Sequence, residues 1–114
     1  MIFAKDTKIY IKTGFTDMRK QINGLAEIAQ ATMPEGPLSG SYLVFCGKTR
    51  HVIKILYWDA TGFCLWQKRL EADSFPWPDV DQTPSELSRM QLKMVLRGID
   101  VFAEHKRLQY TNVA

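Results

Sequence analysis

The sequence predicts an α+β fold: one domain, elements in the order β-α-β-β-β-α, with an antiparallel meander sheet packed by two helices. Three observations lead there. Between Tyr42 and Leu70 apolar residues recur at period two in three successive stretches joined by short, turn-rich connectors, the pattern of hairpin-linked strands. On either side lies a stretch with three- and four-residue apolar spacing, the pattern of a helix with one buried face. The 114 residues suffice for one core and not two. The domain is assigned to residues 1–102, and residues 103–114 to a polar C-terminal extension.

Taken in order, Thr7-Lys8-Ile9-Tyr10-Ile11-Lys12 alternates polar and apolar and closes at Thr13-Gly14, a half-buried first strand. Thr16 or Asp17 is placed to N-cap a helix carrying Met18, Ile22, Leu25, Ile28 and Ala29 on one face, ended by Pro34-Glu35-Gly36-Pro37. Three strands follow: Tyr42 to Cys46, Val52 to Trp58, and Phe63 to Leu70. Their connectors are Gly47-Lys48-Thr49-Arg50 and Asp59-Ala60-Thr61-Gly62; the second suits a type I turn with a left-handed Gly62. The middle strand is apolar on both faces, as a central strand covered on both sides must be. The first helix is one cover.

Ser74-Phe75-Pro76-Trp77-Pro78 sets two aromatics among prolines that disfavour helix, so it is expected to lie extended across the sheet and plug a core edge. Thr83-Pro84-Ser85-Glu86 reads as a capping box with Pro at the first helical position. The helix it would start carries Leu87, Met90, Met94 and Val95 as a stripe and meets a C-terminal cap at Gly98.

Charge is unevenly placed. Residues 1–46 carry five basic and four acidic groups, residues 47–71 five and two, and residues 72–114 five and six, so the excess of the net +3 sits in the middle. Lys48, Arg50, Lys54, Lys68 and Arg69 with His51 form either a modest basic patch for a phosphate backbone or an ordinary solvated sheet face. Trp66 and Lys68 share one side of their strand, and Lys54 and Trp58 share one side of theirs. That mixed aromatic and basic surface is the candidate binding face, with core packing of the aromatics as the alternative. No apolar run approaches a membrane span, and the start Met1-Ile2-Phe3-Ala4-Lys5-Asp6 lacks signal-peptide regions, so a cytoplasmic location is expected. Cys46 and Cys64 are expected as reduced, buried thiols.

Catalytic and cofactor patterns fail on spacing. Gly47-Lys48-Thr49 imitates the end of a nucleotide loop, but six residues separate it from Gly40 where the motif needs four, and a strand rather than a helix follows. Cys46, His51, Cys64 and His105 lack the close-paired spacing of a zinc knuckle. Asp17, Asp59, Glu71 and Asp73 show no spacing that makes them converge on a metal. No catalytic residue, cofactor or metal is assigned.

Read together, Thr16-Asp17-Met18-Arg19-Lys20, Gly24-Leu25, Val44-Phe45, Lys54-Ile55-Leu56-Tyr57-Trp58-Asp59, Gly62, Leu65, Lys68-Arg69-Leu70-Glu71 and Phe75-Pro76-Trp77-Pro78 form an ordered series. This series resembles the small accessory proteins, often labelled TnpB, of bacterial insertion sequences of the sixty-six family, over residues 7 to about 100. The family pattern is matched at Asp17, Arg19, Lys54, Trp58, Asp59, Gly62, Lys68, Arg69 and Glu71. The chain departs from it at Gln21, where many members have Gly, and in the Gly47-Lys48-Thr49-Arg50 turn, where they are Arg-rich. The resemblance implies a non-catalytic accessory protein of DNA transposition whose partner is the transposase of the same element. Two modes are open: docking on the transposase or its complex, or binding DNA at the element ends. Arg19, Lys48, Arg50, Lys54, Trp58, Trp66, Lys68 and Arg69 are the candidate contact residues in either mode.

Overall fold

The alternating stretches form strands that pair as the short connectors require. In the computed structural model, which describes residues 7–78 and 85–102, the elements are β1 (Ile9–Ile11), α1 (Ile22–Thr32), β2 (Tyr42–Cys46), β3 (Val52–Asp59), β4 (Gly62–Arg69), β5 (Ser85–Leu87) and α2 (Arg89–Leu96). The fold is α+β, as expected, and β2, β3 and β4 are an antiparallel meander. The sheet as a whole is mixed, in the order β4-β3-β2-β1-β5. β1 runs parallel to β2, because α1 carries the chain back before β2 begins, and β5 adds antiparallel to the other side of β1.

Three local expectations are corrected. Asp17 and Thr16 do not cap α1: the chain first makes a turn closed by the Lys20 N–H donating to Asp17 O at 3.1 Å, and α1 starts at Ile22 behind Gln21, whose side chain makes no capping bond. The 85–87 segment is a strand rather than the first turn of a helix, with Leu87 buried opposite Ile9. The chain holds a second capping pattern three residues beyond Ser85, and that one is used: the Ser88 hydroxyl accepts from the Gln91 N–H at 3.0 Å, and the Gln91 side chain accepts from the Ser88 N–H at 2.9 Å. Thr83 and Pro84, like the 103–114 extension, lie outside the described residues. In the β3–β4 hairpin the left-handed residue is Ala60 (φ 49°), not Gly62, and the register pairs Asp59 with Gly62 around a two-residue loop.

The sheet is buried on both faces. On one, Ile9, Ile11, Val44, Ile53 and Ile55 pack with Phe75, Trp77, Leu87 and, from α2, Leu92 and Val95. The second cover, left open by the sequence, is therefore α2 together with the extended Phe75–Trp77 segment. The Trp77 indole N–H donates to Gly14 O at 2.9 Å, and the Gly14 N–H to Pro78 O at 3.1 Å, so this segment also anchors the loop after β1. On the other face Tyr10, Leu43, Phe45 and Leu56 pack against Leu25, Ala29 and Met33. Gly98 (φ 85°) ends α2 as expected, with the Ile99 N–H donating to Met94 O and the Gly98 N–H to Val95 O, both at 2.9 Å.

Candidate functional site

Hairpin register decides which side chains can share a surface. Because Asp59 pairs with Gly62, Lys54 pairs with Gln67, Ile55 with Trp66 and Ile53 with Lys68. Side chains alternate between faces along each strand, so Lys54 and Trp58 lie on the α1 face whereas Trp66 and Lys68 lie on the α2 face. The single mixed surface expected from these four residues is therefore divided by the sheet itself.

Two of its lysines have internal partners. Lys54 is 2% exposed, and its ammonium donates to Met18 O at 2.9 Å and Lys20 O at 2.8 Å. A buried cation is tolerated where its protons meet oxygens, and here the oxygens belong to the turn after β1. Lys68 donates to Leu96 O at 2.9 Å, completing the last turn of α2 at the negative end of the helix dipole. Trp58 packs edge-on against Phe63 with ring centroids 5.1 Å apart, at the hairpin end of the sheet. Phe75 and Trp77 are core, Tyr42 is buried against Tyr57, and Trp66 is half-buried.

Arg19, Lys48, Arg50 and Arg69 are brought to one end of the sheet. The Thr16 N–H donates to Cys46 O at 2.9 Å, setting the Asp17–Lys20 turn beside the end of β2. The approach is close: a Cβ on Gly47 would lie 2.6 Å from Met18 Cγ, so any side chain there would have to displace Met18. Lys48 and Arg50 follow in the β2–β3 turn, and Arg69 pairs with Val52 at the same end. The turn is tied down on its far side, where Arg50 O accepts from the Phe75 N–H at 2.6 Å. Arg50 is left-handed (φ 61°), a costly conformation for a residue with a Cβ.

Within this end Arg19 is the most specifically presented group. Asp17 Oδ1 accepts from the Arg19 backbone N–H at 2.9 Å and from Nε at 3.0 Å, while Oδ2 accepts from the terminal guanidinium nitrogen at 2.7 Å. These bonds to the Arg19 side chain, and then to its backbone, hold the Asp17 carboxyl well below the usual carboxylate range. The Arg19 side chain remains 91% exposed, so a fixed guanidinium faces solvent. Phe15, 44% exposed, stands two residues before Asp17. Sequence reasoning did not select Phe15, which stands just before the expected helix cap, or Lys20, which falls inside the helix expected there; the signal for Lys20 is that no helix forms before Ile22.

Asp17, Glu71 and Asp73 lie toward the basic end, Glu71 3.7 Å from Arg69 Nε, and Asp59 lies at the hairpin end. Among the described residues no group of three or more His, Cys, Asp or Glu is placed to hold a metal ion. Cys46 is a free, fully buried thiol pushed up to about 12 by desolvation, and Cys64 is free and half-buried. No helix among the described residues is long and apolar enough to cross a membrane.

Comparison with known proteins agrees with this frame. The family described as IS66 Orf2 like protein has a sequence model that matches residues 7–106. The uncharacterized protein y4hO of Sinorhizobium fredii (strain NBRC 101917 / NGR234) is 35% identical over 97 residues, covering 85% of this chain and 84% of its own. A second protein of that organism, the uncharacterized protein y4jC, is 27% identical over 97 residues, covering 85% of this chain and 83% of its own. No solved structure matches the chain.

Proposed function

The chain belongs to the IS66 Orf2 like family, whose membership indicates an accessory role in transposition, and from that premise we propose that it works without catalysis of its own, by docking on the element's transposase through the basic end of its sheet. The observation that carries this reading is the Arg19 guanidinium, held by Asp17 on a turn that Lys54 supports from inside. Exposed Phe15, four residues before Arg19, adds an aromatic, and aromatics and arginines are the residue types enriched at interface anchors. Ordering Arg19 before contact lowers the entropy lost on binding.

A second reading, DNA contact at the element ends, draws on exposed Lys20, Lys48, Arg50 and Arg69 at the same end. It is weakened because the ammonium groups of Lys54 and Lys68 are occupied by carbonyl oxygens, which reduces the phosphate-neutralising charge.

Two assays separate the readings. Tagged protein is used to co-purify the transposase, and its anisotropy titration of a labelled element-end duplex is compared with a scrambled duplex at low and physiological salt. Docking predicts transposase recovery that falls with Arg19→Ala, and weak duplex binding that is equal on both sequences and vanishes with salt. Tight, end-selective binding at physiological salt with no transposase recovered would replace docking by DNA contact.

A further inference from the structure

We propose that the outer edge of β4 is a self-pairing surface, on which two copies of this chain join β4 to β4 antiparallel about a two-fold axis at Trp66 and so continue the sheet. The site is a strand edge that meets the basic end only at Arg69, and it does not rest on the docking reading. β4 stands last in the sheet and runs unbroken from Gly62 to Arg69, with no proline. Among the described residues no strand pairs with that edge, and a long edge without a proline or a bulge is a template for another strand. Here the strand is also apolar on both sides: Phe63 and Leu65 on the α1 face and Cys64 and Trp66 on the other are all only half-buried.

The backbone specifies the register. The Leu70 N–H donates to His51 O at 2.8 Å, which continues the β3–β4 ladder and assigns the even positions of β4 to bonding with β3. The N–H and C=O groups of Phe63, Leu65, Gln67 and Arg69 therefore point outward. Self-pairing uses all of them in one register alone: Phe63 opposite Arg69 of the second copy, Leu65 opposite Gln67, and Trp66 opposite itself. Four hydrogen-bonded pairs with two bonds each make about eight hydrogen bonds.

Side chains favour the same register. Arg69 of the second copy falls beside Phe63, whose ring Trp58 already backs edge-on, a cation–π arrangement. The two Arg69 residues end up six positions apart along the strand, about 20 Å, well beyond the screening length of about 8 Å at physiological salt. Parallel pairing in register would instead oppose like charges. An open cleft lined by Gln21, Asn23 and Leu65 flanks the strand on the α1 side, where Gln67 of the second copy arrives opposite Leu65. A second copy is thus the occupant that the edge itself complements.

The test is sedimentation equilibrium of the full chain with the Gln67→Pro variant, combined with oxidative cross-linking. Gln67 is exposed and its N–H points away from β3, so Pro there removes a dimer bond in each copy but none within the chain. The wild type is expected to be dimeric. Gln67→Pro is expected to weaken the dimer about 100-fold, the loss of two hydrogen bonds of about 1.4 kcal/mol each, with an unchanged circular dichroism spectrum. Trp66→Cys, sitting on the two-fold axis, is expected to give a covalent dimer and Gln67→Cys, facing Leu65, none beyond the wild-type level. A wild type monomeric at every concentration, or Gln67→Cys cross-linking as readily as Trp66→Cys, overturns the proposal, and the cross-linking pattern decides it even if Gln67→Pro fails to fold.

Discussion

At one end of the sheet the chain is tied by bonds between residues distant in sequence: Lys54 to Met18 and Lys20, Thr16 to Cys46, Trp77 to Gly14, and Phe75 to Arg50. At the other end the Asp59–Gly62 hairpin closes on itself, and the loop before β2 is held through one carboxylate, Glu35, which accepts from Tyr10 at 3.0 Å and from Ser41 at 2.8 Å. Both ends contain a left-handed residue with a Cβ, Arg50 and Ala60. Only at the first is it set among exposed basic groups on a backbone fixed from several elements. A contact surface needs its shape held before the partner arrives, and that difference is why the basic end is the candidate site.

Substitutions that separate scaffold from surface break the comparison most strongly. Lys54→Met leaves two backbone oxygens without their donor and is expected to cost about 2–3 kcal/mol in urea unfolding, whereas exposed Lys48→Met is expected to stay within about 0.5 kcal/mol. Equal effects would mean that Lys54 is not the internal support of the turn. Trp77→Phe replaces the indole by a smaller ring and loses its N–H, with an expected cost of about 2–4 kcal/mol and faster hydrogen exchange around Gly14.

The hairpin end should instead be read by pH. Burial, and then the bond to Glu35, push Tyr10 from 10.0 up to about 12, so its contribution is complete below pH 10 and is lost as pH rises from 10 to about 12. Bonds from Ser41 and Tyr10 hold Glu35 below its ordinary 4.5, so its contribution is present above that value and lost as pH falls through the lower, folded one. Tyr10→Phe should remove the alkaline limb and shrink the acid limb of a stability-against-pH curve; an unchanged alkaline limb would assign it elsewhere.

The smallest effect compares like with like. Arg50→Gly and Ala60→Gly each relieve a left-handed residue and are expected to stabilise by about 0.5–1 kcal/mol in thermal unfolding. Arg50→Gly alone should weaken transposase binding. If Ala60→Gly weakened it equally, the two ends would not differ in function.

Local pattern carried much of the fold. Period two at Tyr42–Cys46, Val52–Trp58 and Phe63–Leu70 was sufficient for the meander, and the prolines around Trp77 for the extended plug. β5 was not legible, because three residues become a strand only when β1 offers a free side, a non-local fact. Nor was the choice between two capping patterns, which the burial of Leu87 decides. For the site, residue type named basic and aromatic groups but not their addresses: Lys54 and Lys68 looked like surface cations because nothing local reveals the carbonyls that receive them. Alternation within each strand did not say which faces coincide: the observed register puts Lys54 and Trp58 on the opposite face from Trp66 and Lys68.

Whether the turn presenting Arg19 is the docking surface is read from calorimetric titration of the purified transposase with wild-type protein and with Arg19→Ala at physiological salt. Arg19→Ala, at an exposed position, is expected to leave the unfolding transition in place and to weaken binding by at least about tenfold, the 1.4 kcal/mol or more of an interface anchor. Unchanged affinity of a fully folded Arg19→Ala protein would contradict the docking reading.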